Sequence, residues 1–145
     1  ITPAGNPKKI KDIEDLTRPD IIFINRQAGS GTRILLDYEL ARAGIAPDDI
    51  VGYRTEEYTH MNVSMAVVSG AADVGLGICA AAKALGLDFL PITKERYDLV
   101  IPTAYREDEK IQILIDIIRS KEFKEKVLAM GGYEVHETGN IVNQN

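Results

Sequence analysis

At 145 residues the chain suffices for one α/β domain or two small lobes, and a domain of this size hides roughly 70% of its unfolded surface without metals or disulfides. A formal net charge of -5 argues against a nucleic-acid surface, and a single cysteine, Cys79, excludes an internal disulfide and, with only two histidines, an obvious zinc site. No apolar run reaches the ~18 residues that cross a bilayer, and Ile1 to Lys9 lacks a signal-peptide pattern, so the expected location is cytoplasmic.

The chain opens without a methionine, as a processed product or an excised piece of a longer protein would. Residues 1–9 read as an extended lead-in, and Ile10 to Leu16 as a short helix stopped near Pro19. Ile21-Ile22-Phe23-Ile24 is a β-branched and aromatic run suited to a buried strand of a parallel sheet. It leads directly into the loop Asn25-Arg26-Gln27-Ala28-Gly29-Ser30-Gly31-Thr32. Beyond the loop, Ile34, Leu35, Tyr38, Leu40 and Ala41 recur at helical spacing up to Gly44. The glycine loop therefore joins a strand to a helix.

Ile50 to Tyr53 is a weaker strand candidate. Thr59 is placed to cap a helix running to Val68 and closed by Gly70, and Ala72 to Ile78 reads as a buried strand whose glycines suggest close backbone approach. A short helix over Ala80 to Leu85 ends at Gly86. Strands are expected over Asp88 to Ile92 and Tyr97 to Ile101, helices over Ile111 to Ile118 and Lys121 to Met130, and a last short strand over Tyr133 to Glu137. Glu107 to Lys110 reads as a solvated helix start. The alternation of strands and helices predicts an α/β fold with mainly parallel sheets.

The glycine loop carries the chemistry. A helix start has N–H groups without intrahelical partners and a partial positive charge, so an anion there satisfies amides with no dedicated cation. Gly29 and Gly31 allow a sharp turn and close approach; Ser30 and Thr32 add hydroxyls; Arg26 and Arg33 add forked donors suited to oxyanions and carboxylates. The plainer alternative makes Ser30 or Thr32 a helix cap, the glycines a tight turn and Arg33 a surface charge. Thr59 and His60 start the next helix and are expected either to face the same cleft or simply to be a cap and a surface residue. Asp73 suits an Asx-type turn and Cys79 a small packed position. Ser30 and His60 lack a third orienting group, so no catalytic residue is assigned and no metal or cofactor is expected beyond a bound oxyanion: molybdate, tungstate, sulfate or phosphate. GSGTR matches neither a P-loop nor GxGxxG.

The segments Asn25 to Arg33 (NRQAGSGTR), Ala66 to Ile78 (AVVSGAADVGLGI) and Leu87 to Pro102 (LDFLPITKERYDLVIP) occur in this order in periplasmic-binding-protein-like domains, and the lead-in Gly5 to Leu16 fits as well. The chain thus resembles the domains fused to the C-terminus of MoeA-type molybdopterin biosynthesis proteins or to helix-turn-helix regulators. The resemblance implies a type II, two-lobed fold over residues 1–145: about 20–85 as the second lobe, and 1–19 with 86–145 as hinge and remaining first lobe. That first lobe is expected to be incomplete, leaving apolar surface that a homodimer would cover.

Within the resemblance, Ser30, Gly31, Thr32 and Arg33 match the family's glycine loop, Thr59 and His60 the next helix start, and Tyr97 a position lining the cleft. The implied function is capture or sensing of a molybdate- or tungstate-type oxyanion for a molybdenum-cofactor protein. The domain itself is not expected to be an enzyme, and a molybdopterin molybdotransferase is the parent such a fusion suggests. Two alternatives stand beside this: a regulator's effector domain for a small organic ligand, and a dimerisation module with a vestigial cleft. None of the three involves direct nucleic-acid or membrane contact.

Overall fold

The computed structural model describes residues 1–142, and the chain divides into two compact units, Ile1–Ile92 and Thr93–Asn145. The first unit is built on a parallel sheet of three short strands: β1 (Phe23–Arg26), β2 (Glu56–Glu57) and β3 (Val74–Gly75), in the order β2-β1-β3. Helix α1 (Gly31–Ala43) connects β1 to β2, and α2 (His60–Val68) connects β2 to β3. A further helix, α3 (Cys79–Ala84), follows β3. A mixed α/β fold with a small parallel sheet is therefore present.

All four residues of β1 are buried, as a strand covered on both faces requires. Successive side chains alternate between the faces. Phe23 joins Leu36 and Leu40 of α1, with Ile10, Leu16, Ile21, Ile50 and Val74, in one apolar cluster. Ile24 joins Val63 and Val67 of α2, with Ala72, in the other. Ile10 and Leu16 bring the lead-in into the same unit as the sheet. A 3-10 turn over Glu14–Thr17 stands where the short helix was expected.

Two glycines set how closely these layers meet. A Cβ on Gly75 would lie 2.5 Å from Val63 Cγ1 and 2.7 Å from Ile24 Cγ2, so α2 rests directly on the bare backbone of β3. Gly52 has φ +90, and a Cβ there would fall 2.1 Å from the Phe23 carbonyl oxygen. This turn explains why Ile50 to Tyr53 is not the second strand. The Phe23 amide donates to Val51, the chain turns back through Gly52, and pairing with β1 resumes only at Glu56 and Glu57.

Other expected strands are also corrected. Ala72 to Ile78 shortens to Val74–Gly75, and Asp88 to Ile92 is reduced to one antiparallel bridge between Thr2 and Asp88. Tyr97 to Ile101 and Tyr133 to Glu137 form no strand. Extended segments become strands only when a neighbour completes their hydrogen bonds, which side-chain propensity does not supply. Asp73 does not close a local turn: its carboxylate accepts from the Ile22 amide at 2.8 Å and from Lys8 Nζ at 3.0 Å.

The second unit contains α4 (Glu109–Arg119) and α5 (Lys121–Met130), packed on each other and ended by Gly131. Asp108 caps α4 and Ser120 caps α5, consistent with an exposed helix start at Glu107 to Lys110. No described residue of this unit is buried. Tyr97 lies here, 92% exposed. No described helix is long and apolar enough to cross a membrane.

Gly75→Ala is expected to destabilise the protein by about 1–3 kcal/mol through overpacking. Gly52→Ala should cost more, because the obstructing atom is backbone and the φ itself is strained. Urea unfolding midpoints test both; a Gly75→Ala midpoint at or above wild type would mean that α2 can retreat from the sheet without loss.

Candidate functional site

In the order β2-β1-β3 the crossover after β1 leads to one edge of the sheet and the crossover after β2 leads to the other, and in open parallel sheets the carboxyl end of such a central strand is where ligands commonly bind. Arg26 is the last residue of β1 and stands at that end. The residue is only 8% exposed. Three sets of contacts fix its guanidinium: Nε donates to Gln27 Oε1 at 3.1 Å, Nη2 donates to the Tyr58 carbonyl at 3.0 Å, and Nη1 lies 2.9 and 3.0 Å from the two ring nitrogens of His60.

None of these partners is anionic, and among the described residues no carboxylate lies within ion-pair distance of Arg26. The natural candidate is Glu57, which stands opposite Arg26 in the β1–β2 register. Its carboxylate instead accepts from Asn62 Nδ2 at 3.0 Å. A nearly buried cation without a counter-charge is an expensive arrangement. Two of the five guanidinium N–H groups remain beyond the three engaged contacts.

His60 is the first residue of α2, directly after the cap Thr59. Burial, reinforced by the neighbouring Arg26 charge, lowers its pKa below the ordinary 6.5. The ring is therefore neutral at neutral pH and can accept from Nη1–H. Gly77, after β3, borders this corner: a Cβ there would meet Ile1 Cδ1 at 2.6 Å and stand in ordinary contact, 3.6 Å, with His60 Nδ1.

The glycine loop delivers the start of α1. Gly29 has φ +84, and the Ser30 amide closes the turn onto the Gln27 carbonyl. Ser30 is the N-cap, its hydroxyl oxygen accepting from the Arg33 amide at 3.2 Å. Thr59 caps α2 in the same way, accepting from the Asn62 amide at 3.0 Å. Capping uses an acceptor lone pair and leaves each hydroxyl hydrogen available to donate, so cap and ligand contact are compatible roles. The Gly31 and Thr32 amides have no acceptor among the described residues, as expected for the first turn of a helix.

Arg33 is differently employed. Its Nε lies 3.1 Å from Asp37, its Nη1 3.0 Å from Glu56, and its guanidinium sits 4.2 Å over the Tyr53 ring. Tyr53 in turn donates to Asp37 at 2.6 Å. Of the two arginines in the loop, the structure pairs Arg33 with carboxylates and leaves Arg26 without one. Arg26, Thr59 and His60 come together, and Gly29, Ser30, Gly31 and Thr32 follow Arg26 along the chain. Tyr97 belongs to the second unit.

Gln27, the Tyr58 carbonyl and Gly77 complete the corner and carry no residue pattern that would single them out. Glu57 and Asn62, which remove the obvious counter-ion from Arg26, are equally silent in sequence. Cys79 is partly buried at the start of α3.

A family model described as a PBP superfamily domain matches residues 1–119. Uncharacterized protein YvgK of Bacillus subtilis (strain 168) is 38% identical over 138 residues, which are 95% of this chain and 44% of that protein. A Clostridium pasteurianum protein named for its position in the 5' region of a ferredoxin 2Fe-2S gene is 39% identical over 116 residues, 77% of this chain and 99% of that protein. The chain thus spans less than half of YvgK. No solved structure matches.

Two outcomes follow from the electrostatics. Arg33→Met should destabilise by about 1 kcal/mol, a value kept low by solvent screening at the part-exposed Asp37 and Glu56; an unchanged urea midpoint would show the cluster to be passive. For His60, the unfolded ring binds a proton near pH 6.5 while the folded one resists it. Stability from this residue is full above that value and declines as pH falls from it toward the lowered folded pKa. Urea midpoints at a series of pH values should drop less steeply below pH 6.5 in His60→Gln than in wild type, and parallel curves would remove His60 from the acid response.

Proposed function

Because the chain belongs to the PBP superfamily, we propose that it binds a small oxyanion at the carboxyl end of β1. The observation that carries this reading is the nearly buried, fixed Arg26 guanidinium with no carboxylate partner among the described residues. An anion seated against it supplies the missing counter-charge.

In this reading Arg26 donates its remaining N–H groups, and the Gly31 and Thr32 amides, with the Ser30, Thr32 and Thr59 hydroxyls, give the further donors a tetrahedral ligand requires. Gly29 lets the loop turn toward them. His60 holds Arg26 in place. Arg33 is assigned to keeping the loop and β2 together and not to the ligand itself. Molybdate, tungstate, sulfate and phosphate are the candidate ligands, molybdate and tungstate being favoured by the resemblance to domains fused to MoeA-type proteins.

The chain works in this proposal as a binding domain, with no chemical step of its own. The PBP superfamily domain is a binding-type fold, which supports that reading. Since YvgK is more than twice as long as the matched segment, the role proposed here is that of an anion-sensing or delivery module within a longer protein.

Calorimetric titration of the protein with molybdate, tungstate, sulfate and phosphate at low salt tests the reading. Saturable binding is expected, and Arg26→Gln should weaken it at least about tenfold, the cost of losing a charge-assisted contact. Arg33→Met should change stability more than affinity. If no oxyanion binds, or if Arg26→Gln binds as well as wild type, the site is elsewhere.

A further inference from the structure

The proximity of Arg26 and His60 contains a conflict that an anion resolves. Nη1 of Arg26 lies 2.9 Å from Nδ1 and 3.0 Å from Nε2 of the same ring, although a neutral imidazole offers one acceptor nitrogen and an imidazolium none. Protonation of His60 without a ligand would therefore put an N–H dipole and a positive charge against a guanidinium that is already nearly buried and unpaired. With an anion between the two groups, both would become donors to it.

We infer that the site takes a dianionic oxyanion together with one proton, which His60 accepts, so that two positive charges meet two negative ones. This rests on the anion-binding reading above and adds the charge class of the ligand and the residue that matches it. A monoanion requires only Arg26 and leaves His60 neutral.

One other group near this corner titrates in the same range, the Ile1 amino group, whose pKa burial lowers to about 6, and the His60 midpoint read by NMR separates the two. From β2, Glu56 is engaged by Arg33 and Glu57 by Asn62. Residues 74–78, after and within β3, include no ionisable side chain, and Gly77 presents only backbone toward the ring. The Ile1 amino group donates to the Gly75 carbonyl, and α3, packed against α2, carries Cys79 at its start and the exposed Lys83 in its last turn. On α2 itself, His60 is the sole ionisable residue. The low proton affinity of the empty site, caused by burial and by the Arg26 charge, is what an incoming dianion would reverse. By linkage, the ligand raises His60's proton affinity by the same factor as the proton raises the ligand's affinity.

Sulfate is the suitable probe because its own ionisation does not change in the relevant range, with nitrate as the monoanion. Titrations between about pH 5 and pH 8 should show sulfate affinity rising as pH falls, approaching about tenfold per pH unit over the window in which one proton is taken up. His60→Gln, which keeps a side-chain acceptor for Arg26, should flatten that dependence. Nitrate binding should vary little with pH. Proton NMR of wild type provides a second reading free of any folding defect: the His60 titration midpoint should rise on saturation with sulfate.

Sulfate binding that is lost in Arg26→Gln, yet flat with pH and without movement of the His60 midpoint, would overturn the proton coupling and leave the anion site standing. Absence of saturable sulfate binding throughout the range would overturn both.

Discussion

A guanidinium removed from water is costly unless an opposite charge or a full set of acceptors replaces its hydration. Arg26 is held in that condition by the most constrained part of the molecule. It ends the central strand of the sheet, with β2 on one side and β3 on the other, and its head is fixed between Gln27, the Tyr58 carbonyl and the His60 ring. Each partner belongs to a different feature of the fold: Gln27 to the glycine loop, Tyr58 to the stretch after β2, and His60 to the first turn of α2. The sheet order, the two helix caps and the packing of α2 on Gly75 all bear on where that one positive charge sits.

The two arginines of the loop show how context divides a shared chemistry. Seven residues apart, they carry the same group and the same affinity for carboxylates. Arg33, two residues into α1, reaches Asp37 one turn further on, Glu56 at the sheet edge and the face of Tyr53. Its charge is neutralised within the protein, where it ties α1 to β2. Arg26 has Glu57 beside it in register, but Asn62 holds that carboxylate. One arginine thus serves the fold, while the other keeps its charge at the carboxyl end of β1.

Much of the first unit was legible from local pattern. The Ser30 and Thr59 caps and the ends of α1 and α2 at Gly44 and before Gly70 are short-range features, and the strand expected over Ile21 to Ile24 is present but shifted two residues on, to Phe23–Arg26. The helices Glu109–Arg119 and Lys121–Met130 follow their apolar periodicity in the same way. Strands were the weaker part, because a ladder depends on a partner distant in sequence. Glu56–Glu57 has no strand-forming composition and pairs with β1, whereas Tyr97 to Ile101 has that composition and pairs with nothing.

For this protein, then, sequence by itself determined the α/β class, most helix starts and stops, and the glycine-rich turn with its capping serine between strand and helix. Those depend on residue type and on spacings of one or two helical turns. Which arginine remains without a carboxylate, that His60 stands against it, and that Gly77 borders the ring were decided only by tertiary structure. These contacts join residues some 20 to 50 positions apart, through the crossovers that bring β2 and β3 to either side of β1. Local pattern cannot specify them, because the pairing of charges depends on distances that exist only once the sheet has formed.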